Sequence, residues 1–158
     1  MQDKGDFKVI RRFEREKDVD ALRQLHLEFS QKIEAKEKAY EQEAADVFIQ
    51  LVIAYIQSDQ GCLFMIEHQE ESIGYAFFVI EPNPRTDGFV GTLAEIYVAP
   101  AWRRKQFAKL ALSEGIRWLQ DHGIEQCYVS VYKHNLDAIS FYEKMGFGVS
   151  DYRMVKVW

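Results

Sequence analysis

The amino-acid sequence predicts a mixed α/β domain built around one central sheet, and three observations support this prediction. The 158 residues are enough for one domain with a buried core. Segments with the hydrophobic periodicities of strands and of helices follow one another along the whole chain. No repeat, low-complexity stretch or linker interrupts them, so we expect residues 1–158 to form a single domain.

The first half of the chain predicts a strand, two helices and a hairpin. Residues 7–13 are strand-like, and Asp18 is the expected N-cap of the first helix. Apolar stripes at helical spacing lie on either side of the charged stretch 34–43. Strands at 63–67 and 72–80 then flank a polar turn, which predicts an antiparallel hairpin. The two stripes are Leu22, Leu25, His26, Phe29 and Ile33, and Ala45, Phe48, Ile49, Val52 and Ile56.

The second half of the chain contains the clearest helix. Residues 92–98 form the preceding strand, which Pro100 ends because proline cannot donate to a sheet ladder. The helix covers 103–121, and Gly123 follows just past its end, where glycine commonly closes a helix. The remaining predicted elements are a strand at 126–132, a helix at about 136–145 and a strand from Phe147 onward.

Composition and charge argue against several classes of function. A net charge of −5 argues against a protein that binds nucleic-acid backbones, which needs a basic surface. Cys62 and Cys127 lie in apolar runs, where a free cysteine is more often a small core residue than a catalytic thiol. No secretory signal or membrane-spanning run is visible, so we expect a cytoplasmic protein that does not bind membranes. The histidines show no metal-ligand spacing, and we expect no metal: His26, His68, His122 and His134.

Basic residues crowd the entrance of the clearest helix. Arg103, Arg104 and Lys105 stand where the helix dipole disfavours cations by about 0.3–1 kcal/mol each. The free backbone N–H groups of a helix N-terminus bind anions, so the turn is suited to a pyrophosphate. Ordinary solvated cations are the other interpretation, and the sequence leaves both open.

Two motifs in the second half resemble those of the GNAT-type N-acetyltransferases. The family's acyl-CoA signature is Val-x-Pro-x-x-Arg, two residues that are basic or small, and then Gly-x-Gly/Ala. Residues 98–108 match it, with Gln106 at the first glycine and Ala108 at the second. The other motif, Asn-x-x-Ala-x-x-Phe-Tyr-x-x-x-Gly-Phe, matches residues 135–147 at every marked position.

The resemblance implies a fold and a donor. It implies a central mixed, mostly antiparallel sheet of six to seven strands flanked by about four helices. The sheet would splay between the fourth and fifth strands, at 92–98 and 126–132, where acetyl-CoA would enter. Backbone of the fourth strand would pair with the pantetheine arm, and amides at the helix entrance would hold the pyrophosphate. The implied acetyl-CoA-binding residues are Ile96, Tyr97, Val98, Arg103, Arg104, Lys105, Gln106, Phe107, Ala108, Asn135, Ala138 and Tyr142.

Gln106 is the one departure from the acyl-CoA signature. Glycine at this position lets the backbone approach a phosphate closely. A glutamine Cβ would crowd that approach, or its amide would donate a hydrogen bond to the phosphate. In a left-handed conformation, a residue other than glycine costs on the order of 1–2 kcal/mol.

The catalytic candidates are Tyr142 and Glu95. By the resemblance, the Tyr142 phenol donates a proton to the leaving sulfur; the alternative is an aromatic core residue. Glu95 interrupts an apolar strand and is the candidate base, acting through water. It could equally be a half-exposed sheet residue or bind a substrate ammonium. Strand alternation puts Glu95 and Tyr97 on one face and Ala94, Ile96 and Val98 on the other.

The resemblance implies transfer of an acetyl group from acetyl-CoA to a primary amine of a small molecule or peptide, by direct attack in a ternary complex. A non-catalytic acyl-CoA-binding or sensing module is the alternative, and a structural protein without a ligand is a third. His26 is either a core histidine or an acceptor contact. A homodimer could form through the last strand, which ends in Val157 and Trp158. A charged run either attracts a cationic acceptor or is a solvated turn: Glu34, Glu37, Glu41, Glu43 and Asp46.

Overall fold

Five strands form one sheet in the protein's structure, a computed structural model that describes residues 7–33 and 38–158. In chain order the strands are β1 (Lys8–Arg12), β2 (Gly61–His68), β3 (Glu71–Pro82), β4 (Phe89–Val98) and β5 (Cys127–Val129). Their order across the sheet follows the chain. Strands β1 to β4 are antiparallel to their neighbours, and β5 runs parallel to β4.

Within the described residues, four α-helices cover the two faces of the sheet. Helices α1 (Arg15–Ile33) and α2 (Lys38–Gln57) lie between β1 and β2 in the chain. A short 3₁₀ turn (Pro100–Trp102) and helix α3 (Phe107–Asp121) connect β4 to β5, and helix α4 (Leu136–Lys144) follows. The parallel β4–β5 pair needs such a crossover, because a tight turn can join only antiparallel strands.

The sheet separates two apolar clusters. In β2, Leu63 and Met65 belong to the cluster under α1 and α2, whereas Phe64 and Ile66 belong to the cluster under α3 and α4. All four are nearly inaccessible to solvent, as expected for a strand covered on both faces. This explains why the sequence of β2 is a continuous apolar run rather than an alternation of apolar and polar residues.

The fold class, the four helices and the β2–β3 hairpin are confirmed, but the predicted number of strands is wrong. The sheet has five strands rather than six or seven. The predicted strand at 126–132 shortens to β5, and residues 147–158 form no strand in the structure. A segment with strand-like composition becomes a strand only when a neighbour pairs with its backbone.

Asp18 is not the N-cap of the first helix, because α1 already begins at Arg15. Its side chain is buried and accepts the backbone N–H of Glu14 at 2.7 Å and two Arg11 N–H groups at 2.7 Å each. Arg11 Nε also donates to Glu67 Oε1 at 2.9 Å, which ties β1 to β2. Burial raises the pKa of Asp18, but hydrogen bonds from Arg11 and Glu14 outweigh it and hold this pKa below its usual value.

Replacing Asp18 should destabilise the fold. We expect Asp18→Asn to lower the free energy of unfolding by about 3 kcal/mol, because Arg11 loses its buried bidentate partner. The matched control is Asp20→Asn on the same helix, where the paired carboxylate is exposed and a change within about 0.5 kcal/mol is expected. Because the folded-state pKa is lowered, the Asp18 contribution is present above pH about 3.8 and disappears as the pH falls through the folded pKa. Urea unfolding at neutral and acidic pH measures both effects.

Candidate active site

A β-bulge in β4 shapes the site. Glu95 is paired with Phe77 and Leu93 with Phe78, so Ala94 is an extra residue without its own partner on β3. An inserted residue of this kind reverses the face that the following side chains occupy. The strand therefore changes the direction of its side chains immediately before Glu95.

The bulge sets the faces of the candidate residues. Leu93, Ile96 and Val98 pack in the cluster under α3 and α4. Tyr97 packs in the cluster under α1 and α2, and Glu95 contacts α1. The predicted separation of Glu95 and Tyr97 from Ile96 and Val98 is thus confirmed, although Leu93 would share the Glu95 face in a regular strand.

Strands β4 and β5 part at the same point. Their parallel ladder begins at Gly91 with Cys127 and ends at Leu93 with Val129, whereas β4 continues to Val98. The splay expected between the fourth and fifth strands corresponds to this position. Arg103 Nε donates to the Val98 carbonyl at 2.9 Å, so the end of this open edge carries a side-chain contact.

Glu95 is the centre of a compact polar cluster. Its Oε1 accepts a hydrogen bond from the Tyr75 hydroxyl and lies 2.6 Å from His26 Nδ1. The Tyr75 hydroxyl and His26 Nδ1 are 3.2 Å apart, which closes a triangle of three side chains. The side chains of Glu95 and His26 are only 13% and 11% exposed, so bulk water screens their interaction little. Burial and the nearby Glu95 raise the pKa of Tyr75, which keeps this hydroxyl protonated and donating.

His26 is held in one orientation. Its ring stacks on Phe48 with centroids 3.9 Å apart and an interplanar angle of 6°. An ionised Glu95 carboxylate can only accept, so the 2.6 Å contact requires the proton on His26 Nδ1. In a neutral ring Nε2 is then an acceptor, and the Ser30 hydroxyl lies 3.5 Å from it. His26 is buried as a core histidine would be, and it also contacts the candidate base.

A second carboxylate lies on the same face. The Tyr97 hydroxyl donates to Glu28 Oε2 on α1 at 3.2 Å, and the Arg103 guanidinium sits 5.7 Å from the Tyr97 ring centroid. Burial and the neighbouring Glu28 raise the pKa of Tyr97, so it too stays protonated at neutral pH. The α1 side of β4 therefore offers two carboxylates, Glu28 and Glu95, each accepting from a tyrosine.

The entrance of α3 contains two left-handed residues. Gln106 is the N-cap with φ 70° and ψ 8°, and Arg104 has φ 60°. A helix N-terminus presents free backbone N–H groups, and its dipole favours an anion there. Gln106 makes no side-chain capping bond. The turn therefore carries glutamine in a left-handed conformation that glycine would adopt without strain.

The three cations of this turn have different surroundings. Arg103 is directed back onto β4 by its bond to Val98. Arg104 and Lys105 lie at the surface, the first 3.9 Å from Asp137 and the second 5.3 Å from the Trp102 ring centroid. The exposed ion pair contributes little stability. The backbone of the turn, rather than these side chains, makes the stronger case for an anion site.

Gln106→Gly should stabilise the protein. We expect the free energy of unfolding to rise by about 1 kcal/mol, because glycine adopts positive φ without a Cβ penalty. The control is Lys105→Gly, where φ is not positive and glycine brings no relief. Urea unfolding of both variants measures the difference. Equal changes in the two variants would show that the left-handed conformation stores no strain.

Tyr142 is buried on the α3/α4 face. It is 8% exposed, and its ring lies 5.2 Å from that of Phe141 and 5.5 Å from that of Phe147. Burial raises its pKa to about 12, so the phenol keeps its proton at neutral pH. The residue occupies a core position and yet has the protonation state that a general acid needs.

The other residues of the second motif have structural contacts. The Asn135 side-chain oxygen accepts the Ala138 backbone N–H at 3.2 Å and caps α4. Ala138 packs against the α3/α4 cluster, as does Phe107 on α3, while Ala108 is half-buried beside it. The roles of Asn135 and Ala138 in cofactor binding stay predictions.

Tyr75 is the functional candidate that the sequence did not indicate. It lies within an apolar strand, where a tyrosine is an unremarkable core residue. The register explains its role: Tyr75 faces Tyr97 directly, and Glu95 faces Phe77 two residues further along β3. A prediction of the β3–β4 register would have placed Tyr75 and Glu95 as diagonal neighbours on one face.

The described residues include only part of the acidic run near the expected acceptor entrance. Glu34 and Glu37 lie outside the described residues, and so does the side chain of Glu41. Glu43 is exposed, and Asp46 accepts from Arg23 Nε at 3.0 Å.

Membrane and metal features were searched over residues 7–33 and 38–158. No helix in these ranges has the length and apolar character needed to cross a membrane. The same ranges contain no group of three or more His, Cys, Asp or Glu side chains arranged to hold a metal ion.

Comparison with known proteins matches this architecture. The uncharacterized N-acetyltransferase YdgE of Bacillus subtilis is 29% identical over 89 residues, which are 56% of this chain and 55% of that protein. The matched region therefore spans about half the length of this relative.

Two solved structures share the fold at low sequence identity. The aminoglycoside N-acetyltransferase AAC(6')-Iy in complex with CoA has a TM-score of 0.77 at 17% identity, covering 100% of this chain and 99% of that chain. Glucosamine-6-phosphate N-acetyltransferase from Arabidopsis thaliana has a TM-score of 0.71 at 18% identity, covering 97% and 99%. The acetyltransferase (GNAT) family matches residues 19–147, which is most of the sequence. The chain belongs to the acetyltransferase (GNAT) family.

Proposed function

We propose that this protein transfers the acetyl group of acetyl-CoA to a primary amine by direct attack in a ternary complex. The observation that carries the proposal is the Glu95–His26–Tyr75 cluster, whose carboxylate lies on β4 just beyond the point where β4 and β5 part. A buried carboxylate with fixed partners at such an opening is suited to proton transfer. One acetyltransferase domain, residues 1–158, would contain both substrate sites.

The donor side of the site fits acetyl-CoA. The open edge of β4 beyond Leu93 can accept an extended arm as an added strand. The turn before α3 presents backbone amides from two left-handed residues, which suits a pyrophosphate. Both features lie within or next to residues 98–108, the segment that resembles the acyl-CoA signature.

The acceptor side fits a small-molecule or peptide amine. Helices α1 and α2 cover the face on which Glu28 and Glu95 lie, and both carboxylates attract an ammonium group. Both contacts of Glu95 involve Oε1, which leaves Oε2 for the amine or for a bridging water.

Transfer then requires three proton movements, two from the nitrogen and one to the sulfur. An alkyl ammonium with a pKa near 10.4 must lose a proton before its nitrogen can attack the thioester carbonyl, and Glu95 accepts that proton directly or through water. The new C–N bond forms, the C–S bond breaks and the sulfur leaves with the electron pair, while the nitrogen gives its second proton to water, which replaces the proton that Tyr142 gives up. Tyr142 donates its proton to that sulfur from the other face of the sheet, through the opening between β4 and β5.

A thiol-release assay tests the function. Purified protein with acetyl-CoA and a panel of amines should release free CoA only in the presence of an accepted amine, and the acetylated product should gain 42 mass units for one acetyl group in place of one proton. Calorimetry with acetyl-CoA alone should show binding. Absence of binding at millimolar ligand would overturn the proposal.

The left-handed Gln106 also motivates the second candidate, a non-catalytic acyl-CoA-binding or sensing module. The Cβ of Gln106 in the phosphate turn would weaken donor binding without removing the donor site. Binding of acetyl-CoA without thiol release across the amine panel would support this module over the enzyme.

A further inference from the structure

His68 is a buried histidine that lies outside the polar cluster of the candidate active site. It is the last residue of β2, and it is paired in the sheet with Lys8 of β1 and with Glu71 of β3. Only 7% of its surface is exposed. Gln69 and Glu70, which follow it, both have positive φ and form the tight turn to β3. The backbone of His68 is therefore held from both sides, and a residue fixed in this way can anchor its neighbours.

The His68 ring packs against the two aromatic residues that flank residues 103–106, here called the donor turn. Its centroid lies 4.4 Å from that of Trp102 and 6.1 Å from that of Phe107. The Trp102 and Phe107 rings are 6.2 Å apart at an interplanar angle of 86°, which closes a triangle of three rings. Edge-to-face ring pairs at such distances attract each other. The residues immediately before and after the donor turn thus pack on the same histidine.

The donor turn needs such support because its conformation is unfavourable by itself. Arg104 and Gln106 have φ of 60° and 70°, values that residues with a Cβ rarely adopt. Gln106 makes no side-chain capping bond. A backbone conformation of this kind persists only where the surrounding structure over-determines it. The ring contacts of Trp102 and Phe107 with His68 supply that constraint, because they connect both ends of the turn to the end of β2.

We propose that His68 is the positioning residue for the donor turn: its packing on Trp102 and Phe107 holds the backbone amides of residues 103–106 where the pyrophosphate of acetyl-CoA binds. This role takes acetyl-CoA as the donor and so rests on the proposed function. His68 acts through the two rings, because its own side chain is buried beneath them. A turn that is ordered before the ligand arrives lowers the cost of ordering on binding. The affinity for acetyl-CoA therefore depends on a residue of β2, outside the segment that resembles the acyl-CoA signature.

Calorimetry with acetyl-CoA measures the effect of His68 on the donor turn. His68→Ala should weaken acetyl-CoA binding by roughly tenfold, because the turn must then be ordered on binding. His68→Phe keeps a ring beside Trp102 and Phe107 and should restore most of the affinity. The matched control is His122→Ala, which removes a histidine ring 4.5 Å from Trp118 at the other end of α3 and should leave the affinity unchanged. An affinity that is unchanged in His68→Ala would contradict the positioning role.

A donor without a pyrophosphate separates positioning from a general loss of structure. S-acetylpantetheine has the thioester and the extended arm of acetyl-CoA but no group for the donor turn to bind. In His68→Ala, kcat/KM should fall for acetyl-CoA and stay unchanged for S-acetylpantetheine, both measured by thiol release. Trp102→Leu breaks the same ring contact from a half-buried residue and should give the same two results, so the test does not depend on the stability of one variant. Equal losses with both donors would make His68 a core residue and overturn the proposal.

Hydrogen exchange of the ligand-free protein tests the anchoring separately from the proposed function. The Trp102 amide donates to the Ala99 carbonyl at 2.9 Å and the Leu110 amide donates to the Gln106 carbonyl at 3.1 Å, one on either side of the donor turn. Both amides should exchange faster in His68→Ala and at an unchanged rate in His122→Ala, since local opening follows the loss of local contacts. Unchanged rates in His68→Ala would overturn the positioning role even if acetyl-CoA binds. Failure of the unchanged protein to bind acetyl-CoA would instead overturn the proposed function.

Discussion

Glu95→Gln should lower kcat by about 10²–10⁴-fold, the range expected when a general base is removed. The amide keeps the shape of the side chain and can still accept from Tyr75, but it cannot take a proton from the amine. The dissociation constant of acetyl-CoA should not change, because the Glu95 side chain lies on the α1/α2 face, whereas the proposed donor contacts come from the backbone edge of β4 and the turn before α3. Steady-state kinetics with an accepted amine and calorimetry with acetyl-CoA measure the two quantities.

Glu28→Gln is the matched control for Glu95→Gln. Glu28 is a carboxylate on the same face whose contact is Tyr97 rather than the Glu95 cluster. Its loss should raise KM for a cationic amine and leave kcat within a few-fold, since it attracts the acceptor without moving a proton. An unchanged kcat in Glu95→Gln would remove Glu95 from the chemistry and leave it a sheet residue.

His26 should act as a positioning residue for Glu95. His26→Ala should lower kcat by less than Glu95→Gln and should shift the pH dependence of kcat/KM, because the carboxylate loses a hydrogen-bond donor at 2.6 Å. His26→Asn retains a donor near the Nδ1 position and should recover part of the rate. A pH profile that is identical in His26→Ala and the unchanged protein would assign His26 to packing against Phe48 alone.

Tyr142→Phe should lower kcat by roughly 10²-fold or more with little change in acetyl-CoA affinity, because the leaving sulfur loses its proton donor. The control is Tyr152→Phe, an exposed tyrosine that should tolerate the same change. Stopped-flow thiol release and calorimetry separate rate from binding. Turnover equal to that of the unchanged protein would make Tyr142 a core aromatic.

The raised pKa of Tyr142 also determines how the stability of the fold depends on pH. The pKa of Tyr142 is about 10 in the unfolded chain and about 12 in the folded one. The neutral phenol therefore stabilises the fold fully below pH about 10. That contribution disappears as the pH rises through about 12. Unfolding between pH 10 and 12 should therefore show a smaller loss of stability in Tyr142→Phe than in the unchanged protein.

Local patterns predicted the helices and the antiparallel hairpin, because both depend on residues close in sequence. The spacing of apolar residues placed α3, although this helix begins at Phe107 rather than at residue 103, and the helix expected from about residue 136 is α4. The same patterns failed for Asp18, whose partner Arg11 lies in the preceding strand rather than in the helix. They also failed for the last strand, because strand formation needs an edge to pair with.

The candidate site was predicted residue by residue but not as a cluster. Glu95 and Tyr142 were identified, whereas Tyr75 was missed and His26 was not connected to Glu95. His26 is 69 residues from Glu95 and 49 from Tyr75 in the chain, and only the sheet register and the packing of α1 bring them together. The bulge at Ala94 adds to the difficulty, because it reverses the side-chain faces at one position within β4.

The two apolar clusters on opposite faces of the sheet determine how this protein responds to combined substitutions. The residues proposed to contact the acceptor lie on the face of the α1/α2 cluster, and those proposed to contact the donor belong to β4 and the α3 layer. Substitutions in separate clusters combine additively, since they share few neighbours. New acceptors can therefore be selected by varying α1 and α2 while the machinery for the acyl donor stays as it is. For directed evolution, residues of the α1/α2 layer are therefore the ones to randomise, and residues of the α3 layer are the ones to keep unchanged.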